Sequence, residues 1–139
     1  MAVDASLVGL KHKATLRVDD SLTVPKVSPH FAGFRDMPPV FATALLVGFI
    51  ENTCIEALQP HLDEGQGSVG TYVDVSHVAA TPAGMAVTAE IELIGVEGRS
   101  LSFRVSVRDE VDLIGEGTHQ RALIDRERFM ARVSGKAGG

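Results

Sequence analysis

The sequence predicts an α+β domain in which one long helix packs against an antiparallel sheet. An uncharged apolar run, residues 40–50 (VFATALLVGFI), opens a segment with helical periodicity. In the C-terminal half, apolar and polar residues alternate cleanly, which is typical of half-buried antiparallel strands. A chain of 139 residues is long enough to bury one core, so we expect a single domain over residues 1–139.

The N-terminal part predicts a strand, a loop and then the helix. Apolar and charged residues alternate loosely within residues 5–18, which indicates a first strand. Residues 26–39 (KVSPHFAGFRDMPP) hold three prolines and two phenylalanines, which favours an ordered, lid-like loop. The helix is predicted from Phe41 to about Leu58, with Pro60 helping to end it. Because it is apolar nearly all round, we expect it to be buried.

Four or so antiparallel strands are predicted after the helix. The first carries alternating apolar residues, with His77 at the end of the same strand face. The next two runs lie on either side of a hairpin turn at Gly98. The final run, about residues 114–133, contains two glycines that indicate a bulge or kink. A disordered tail is expected over about residues 134–139.

Composition excludes several classes of protein. The net charge of −5 argues against a nucleic-acid-binding protein, whose footprint is usually basic. The single cysteine, Cys54, excludes an internal disulfide or a cysteine-rich metal site and fits a reducing compartment. The five histidines lack metal-ligand spacing, so no metal site is expected. With no signal-like start and no run near the ~20 apolar residues of a membrane span, we expect a cytoplasmic protein.

Residues 65–70 match the dinucleotide-binding pattern G-x-G-x-x-G literally. That motif needs a strand before it and a helix after it, so that a phosphate meets helix N–H groups. Here the predicted order is the reverse, and we interpret the segment as a glycine turn.

Four polar residues could carry chemistry. Glu51 is the first charge on the apolar helix, and it is either a solvent-reaching side chain or a partly buried base or nucleophile. Thr43 lies two helical turns earlier and about 80° round the helix, close enough to share one groove. His77 is either a satisfied interior histidine or an acid–base partner of the carboxylate. Arg121 could bind phosphate or be solvated.

Short motifs along essentially the whole chain resemble the fluoroacetyl-CoA thioesterase family. The matching segments are residues 40–43 (VFAT), 47–48 (VG), 67–71 (GSVGT), 79–82 (AATP), 96–99 (VEGR) and 117–122 (GTHQRA), together with Glu51 and His77. The resemblance implies a hotdog fold, in which an antiparallel β-sheet wraps one long central helix. It also implies a homodimer with active sites at the subunit interface.

By the same resemblance, Thr43, Glu51 and His77 fall on the family's catalytic threonine, glutamate and histidine. The implied reaction is hydrolysis of a small acyl-CoA to free acid and CoA, either through an acyl-enzyme on Glu51 or through attack by water. Gly70 matches the glycine whose backbone approaches the acyl group, and Arg121 matches the arginine near the substrate. No separate cofactor is implied, since coenzyme A is part of the substrate.

The sequence departs from the family in the lid. The family's fluoroacetyl specialist has a phenylalanine shortly before the V-F-A-T motif, and the segment here is about three residues longer, so either Phe34 or Met37 takes that place. The identity of the acyl group in the substrate is therefore left undecided. Two other functions stay open as well: a non-catalytic hotdog module that binds an acyl-CoA or another apolar ligand, and, less favoured, a hotdog dehydratase or hydratase.

Overall fold

One antiparallel five-stranded sheet and two helices form the part of the chain that the structure, a computed structural model, describes, residues 3–138. The elements are β1 (Lys11–Arg17), α1 (Thr43–Leu58), β2 (Gln66–Val75), β3 (Ala86–Glu97), β4 (Ser100–Arg108), β5 (Leu113–Asp125) and α2 (Arg126–Lys136). The strand order is β1-β3-β4-β5-β2, which leaves β1 and β2 at the edges. Neither helix is long and apolar enough to span a bilayer, as judged over residues 3–138.

The core lies between α1 and the inner face of the curled sheet. The alternation predicted for β3 and β4 is confirmed, because every second side chain is buried from Val87 to Leu93 of β3 and from Leu101 to Val107 of β4. Their buried side chains are Val87, Ala89, Ile91, Leu93, Leu101, Phe103, Val105 and Val107. Each large apolar side chain that leaves water contributes about 1.5–3 kcal/mol, so these two rows, together with the helix, account for most of the fold's hydrophobic stabilisation.

The helix begins two residues later than predicted, at Thr43 rather than Phe41. Phe41 and Ala42 stay extended because their N–H groups donate to backbone carbonyls outside the helix, those of Thr81 (2.9 Å) and Leu22 (3.0 Å). Thr43 is therefore the first helical residue, where its side chain is free to bond groups beyond the helix.

The expectation that α1 is buried all round is wrong for the single chain. The sheet covers one face only, and the buried residues of that face are Leu46, Phe49, Ile50, Thr53, Cys54, Ala57 and Leu58. The other face leaves Thr43 and Gly48 exposed, Glu51 half-buried and Ile55 40% exposed. Five strands of this curvature cannot reach round the helix, so its second face is open.

His77 does not share a strand face with the end of β2, contrary to the prediction. The strand ends at Val75, and the following segment keeps only single backbone bonds to β5, including Ser76 N–H to Glu116 O (2.9 Å) and Val78 N–H to Ile114 O (2.7 Å). The alternation of side chains between the two faces of the sheet ends where the continuous backbone hydrogen bonding of β2 ends. His77 thus lies in a connecting segment, two residues past the strand.

The C-terminus also differs from the prediction. The final run ends as a strand at Asp125, whose carboxylate accepts a hydrogen bond from Arg128 N–H (3.0 Å) and so caps the N-terminus of α2. Part of the expected disordered tail, residues 134–136, is helical, while Gly139 lies outside the described residues. The predicted irregularity in this run is confirmed, since the β4–β5 register shifts beside Gly115.

The close approach of β2 and β5 requires a glycine at position 117, and replacing it tests this pairing. Gly117 has φ 156°, and a β-carbon there would overlap the carbonyl oxygen of Asp74. We expect Gly117→Ala to lower the free energy of unfolding by about 2–4 kcal/mol in urea denaturation. Gly95→Ala is the matched control, because its β-carbon meets only Ser102 Cβ at 3.8 Å, and it should change stability by less than about 1 kcal/mol. Equal stability of the two variants would contradict the proposed packing.

Candidate active site

Thr43 and His77, which the sequence singled out separately, are in direct contact. A hydrogen bond of 2.7 Å joins Thr43 Oγ1 to His77 Nδ1. Burial lowers the pKa of His77, so its imidazole is neutral at pH 7 and able to accept a proton. Its other nitrogen, Nε2, is buried and has no hydrogen-bond partner within residues 3–138. The pair has the geometry of a hydroxyl held against a base.

Glu51 forms an ion pair with Arg121. Arg121 Nη1 donates to Glu51 Oε2 over 2.8 Å, and the arginine is only 2% exposed while the glutamate side chain is 38% exposed. The rest of the guanidinium is bound to Ser68, with Nε donating to its hydroxyl (2.8 Å) and Nη2 to its carbonyl (3.1 Å). Arg121 is thus neither solvated nor a free phosphate ligand; it fixes one edge of the carboxylate.

Gly70 lies against this carboxylate. It pairs with Arg121 across β2 and β5, and a β-carbon at position 70 would overlap Glu51 Oε2 and come within 3.4 Å of Arg121 Nη1. Any larger residue would displace the carboxylate from the arginine. A bulge between Gly70 and Tyr72 follows at once, so the strand bends at the position where Glu51 meets it.

A cavity of about 390 Å³ opens beside Thr43 under the lid segment. Phe34 and Met37, the two candidates for the family's lid phenylalanine, both line this cavity. The Phe34 ring is held edge-on by Phe31, with 5.3 Å between the ring centroids. A larger groove of about 620 Å³ lies on the outer face of the sheet, among charged side chains, and none of the site residues lines it.

The structure sorts the site residues into two groups rather than one. Thr43 contacts His77, and Glu51 contacts Gly70 and Arg121. Thr43 and Glu51 are eight positions apart on the helix, which corresponds to about 12 Å of helix rise. Within a single chain the two residues therefore belong to separate hydrogen-bond networks, and their sharing of one groove stays a prediction.

Sequence reasoning missed two partners of Arg121, Ser68 and His119. Neither contributes to the hydrophobic pattern, and both become significant only through their hydrogen bonds to the guanidinium. The one available signal was the spacing of His119 and Arg121, two residues apart on one strand face. Across residues 3–138 the structure contains no group of three or more His, Cys, Asp or Glu side chains arranged to hold a metal ion.

A curled antiparallel sheet packed on one long helix is the hotdog architecture, and the relatives that share it with this chain are thioesterases. A sequence model of the FlK family, described as fluoroacetyl-CoA-specific thioesterase, matches residues 18–127. The chain belongs to this family, as its motifs predicted.

Known relatives agree over nearly the whole chain. The fluoroacetyl-CoA thioesterase of Streptantibioticus cattleyicolor is 46% identical over 133 residues, covering 96% of each chain. A solved structure of the fluoroacetyl-CoA thioesterase FlK superposes with a TM-score of 0.92 at 46% identity, covering 96% of this chain and 98% of that one. A phenylalanine-to-alanine variant of FlK, solved in complex with fluoroacetate and CoA, gives a TM-score of 0.86 at 47% identity, covering 88% and 98%.

The contact between Gly70 and Glu51 predicts that Gly70→Ala impairs thioester hydrolysis without unfolding the protein. The added methyl group displaces the carboxylate from Arg121, and a misplacement of this kind costs on the order of tenfold to a hundredfold in kcat. Gly67→Ala is the control on the same strand, since its β-carbon meets the flexible Arg126 side chain at 3.2 Å, which can move aside. Thiol release and a thermal melt are measured for both; a Gly70→Ala enzyme as fast as wild type would remove the steric argument.

Proposed function

We propose that this chain hydrolyses small acyl-CoA thioesters to the free acid and CoA, with Glu51, Thr43 and His77 as the catalytic residues. The observation that carries the proposal is the Glu51 carboxylate, bonded at Oε2 by a buried arginine and open at Oε1. A fixed, partly buried anion is what a thioester requires, either as a nucleophile or as a base for water. Coenzyme A enters as part of the substrate and no separate cofactor is needed.

The reaction divides into two steps. Glu51 Oε1 attacks the thioester carbonyl, the carbon–sulfur bond breaks, and CoA leaves as a thiolate that takes up a proton from solvent. The acyl group is then a mixed anhydride on Glu51, which water hydrolyses to the free acid and the original carboxylate. The Thr43 hydroxyl, bonded to His77 Nδ1, is suited to take a proton from that water while it passes its own proton to the imidazole.

The lid cavity supports a small acyl group. Its wall is formed by Val24, Phe34, Met37 and the start of α1, with Thr43 as the polar residue at its edge. The complex of a relative with fluoroacetate and CoA is consistent with a substrate of this size. Turnover of a series of acyl-CoAs decides which small acyl group is preferred.

A homodimer with a shared site fits the exposed surfaces. The edge strand β2 presents Tyr72 (53% exposed) and Val73 (42%), and it contacts α1, whose second face is open. Unpaired edges and uncovered apolar faces are what subunit pairing removes. Within one chain Glu51 and Thr43 belong to separate hydrogen-bond networks, about 12 Å apart along the helix axis. We therefore place the partner subunit's Glu51 opposite Thr43 and His77.

The role of Glu51 is tested by Glu51→Gln in a thiol-release assay over acetyl-, fluoroacetyl-, propionyl-, butyryl-, longer-chain and aryl-acyl-CoAs. The amide is isosteric but neither a nucleophile nor a base, so we expect kcat to fall by at least about a hundredfold on every substrate that wild type accepts. Glu56→Gln is the matched control, because Glu56 lies on the same helix, exposed and bonded to His12 and Asn52.

The outcomes separate the candidate functions. Rapid-quench mass spectrometry of wild type should find the acyl group on the peptide that contains Glu51, whereas attack by water leaves no adduct. A Glu51→Gln enzyme as fast as wild type would refute the mechanism. Saturable CoA binding without turnover on any substrate would favour the non-catalytic module instead.

The shared site is tested by complementation between two inactive variants. Thr43→Ala and Glu51→Gln chains are co-expressed with different affinity tags, and the heterodimer is purified through both tags. If Glu51 acts on the substrate bound at the partner's Thr43 and His77, one of the two sites of the heterodimer has every catalytic residue. We then expect about half of the wild-type kcat per dimer. Homodimers of each variant serve as controls. A heterodimer as inactive as these controls, or a monomer in sedimentation at micromolar concentration, would overturn the arrangement.

A further inference from the structure

The Arg121 guanidinium has one more bond, to a histidine that the mechanism does not use. His119 lies two residues earlier on β5, is 2% exposed, and has its Nε2 3.1 Å from Arg121 Nη1. The same Nη1 donates to Glu51 Oε2. One nitrogen of the arginine therefore connects the histidine to the carboxylate.

The direction of each bond follows from what the groups can do. His119 Nδ1 lies 2.7 Å from the carbonyl oxygen of Tyr72. A carbonyl only accepts, so Nδ1 carries the proton and donates. In the neutral imidazole Nε2 is then a lone-pair acceptor, which is what a guanidinium N–H requires. A second proton on the ring would sit on Nε2 and place its N–H against the N–H of Arg121 Nη1, so that the hydrogen bond is lost.

The surroundings of His119 hold it in this neutral tautomer. Burial is the largest effect and lowers the pKa of the imidazole; the hydrogen bond to the Tyr72 carbonyl raises it, the charge of Arg121 lowers it, and the charge of Glu51 raises it least. The Tyr72 carbonyl follows directly after the β2 bulge, where the strand shifts register against β5. The ring is stacked on Phe103, with 6.5 Å between centroids and 27° between planes. Backbone, charge and packing all favour one orientation.

We propose that His119 is a positioning residue for the thioester hydrolysis: its unprotonated Nε2 holds Arg121 Nη1 in the orientation that fixes the Glu51 carboxylate. This inference rests on the proposed role of Glu51. It assigns the histidine no contact with substrate. Without the acceptor, Ser68 still holds Nε and Nη2, but Nη1 is bonded to Glu51 alone and can shift together with the carboxylate.

Two amide variants separate this role from a merely structural one. In His119→Asn the amide reaches about as far as Nδ1 and keeps the bond to the Tyr72 carbonyl, whereas in His119→Gln an amide oxygen reaches the position of Nε2 and keeps the acceptor for Arg121. We expect the asparagine variant to lose kcat on the order of tenfold to a hundredfold with KM little changed. The glutamine variant should retain most of the wild-type kcat.

A second measurement does not depend on turnover. Side-chain NMR of Arg121 should show guanidinium protons that exchange slowly with solvent in wild type and in His119→Gln, and faster in His119→Asn. Equal exchange in all three proteins, or kcat losses that follow the melting temperature equally in both variants, would overturn the inference.

Coupling to the carboxylate is tested by adding His119→Asn to Glu51→Gln. If the histidine acts through Glu51, the double variant should be no slower than Glu51→Gln alone, and additive losses would show that it does not. Full activity of Glu51→Gln by itself would refute the proposed function, whereas a normal His119→Asn with an inactive Glu51→Gln would refute the positioning role only.

Discussion

Burying the guanidinium of Arg121 is the constraint on which this site depends. A buried charge is costly unless it is paired and its donors are satisfied. Here the donors reach four acceptors, on Ser68, Glu51 and His119, which come from β2, α1 and β5. The register of β2 on β5 places Gly70 opposite the arginine, and the absence of a side chain there leaves space for the carboxylate. The register of β2 on β5, the glycine at position 70 and the rotation of α1 about its axis must therefore all be correct for Glu51 to lie within hydrogen-bond distance of Arg121.

That constraint also explains why the proposed catalytic groups fall into two sets. The carboxylate is fixed from behind by a rigid sheet, while the threonine and histidine lie where the helix begins and where β2 has already ended. The Thr43 hydroxyl can bond His77 because the backbone before Thr43 is extended and the helix begins there. His77 reaches its position because the continuous pairing of β2 with β5 ends at Val75. Each set is pre-organised within its own chain, so in the proposed dimer the docking of two rigid surfaces would complete the site.

Sequence reasoning anticipated the parts that periodicity controls. The alternation in β3 and β4 and the long apolar helix predicted an α+β domain, and the motif resemblance implied the hotdog fold; both are confirmed. The errors have a common cause, because a pattern reports which face a side chain takes but not what lies across from it. The open face of α1 and the position of His77 after the end of β2 depend on tertiary contacts. The start of α2 is different, because its cap is local and sequence reasoning missed the capping signal of Asp125. The bonds of Arg121 to Ser68 join residues 53 positions apart, which no local pattern encodes.

Selectivity between acyl groups is limited by the same architecture. The lid cavity offers mainly apolar side chains, Phe34 and Met37 among them, and such walls discriminate by about 1–3 kcal/mol between groups that differ by a small apolar increment. Two acyl groups of nearly equal size would be separated even less. Stronger discrimination requires a polar group that the wrong substrate leaves unpaired. In the described site the buried polar groups are concentrated around Glu51 and Arg121, so substitutions of the lid should change the size of the accepted chain, whereas electronic selectivity should depend on the network that holds the carboxylate.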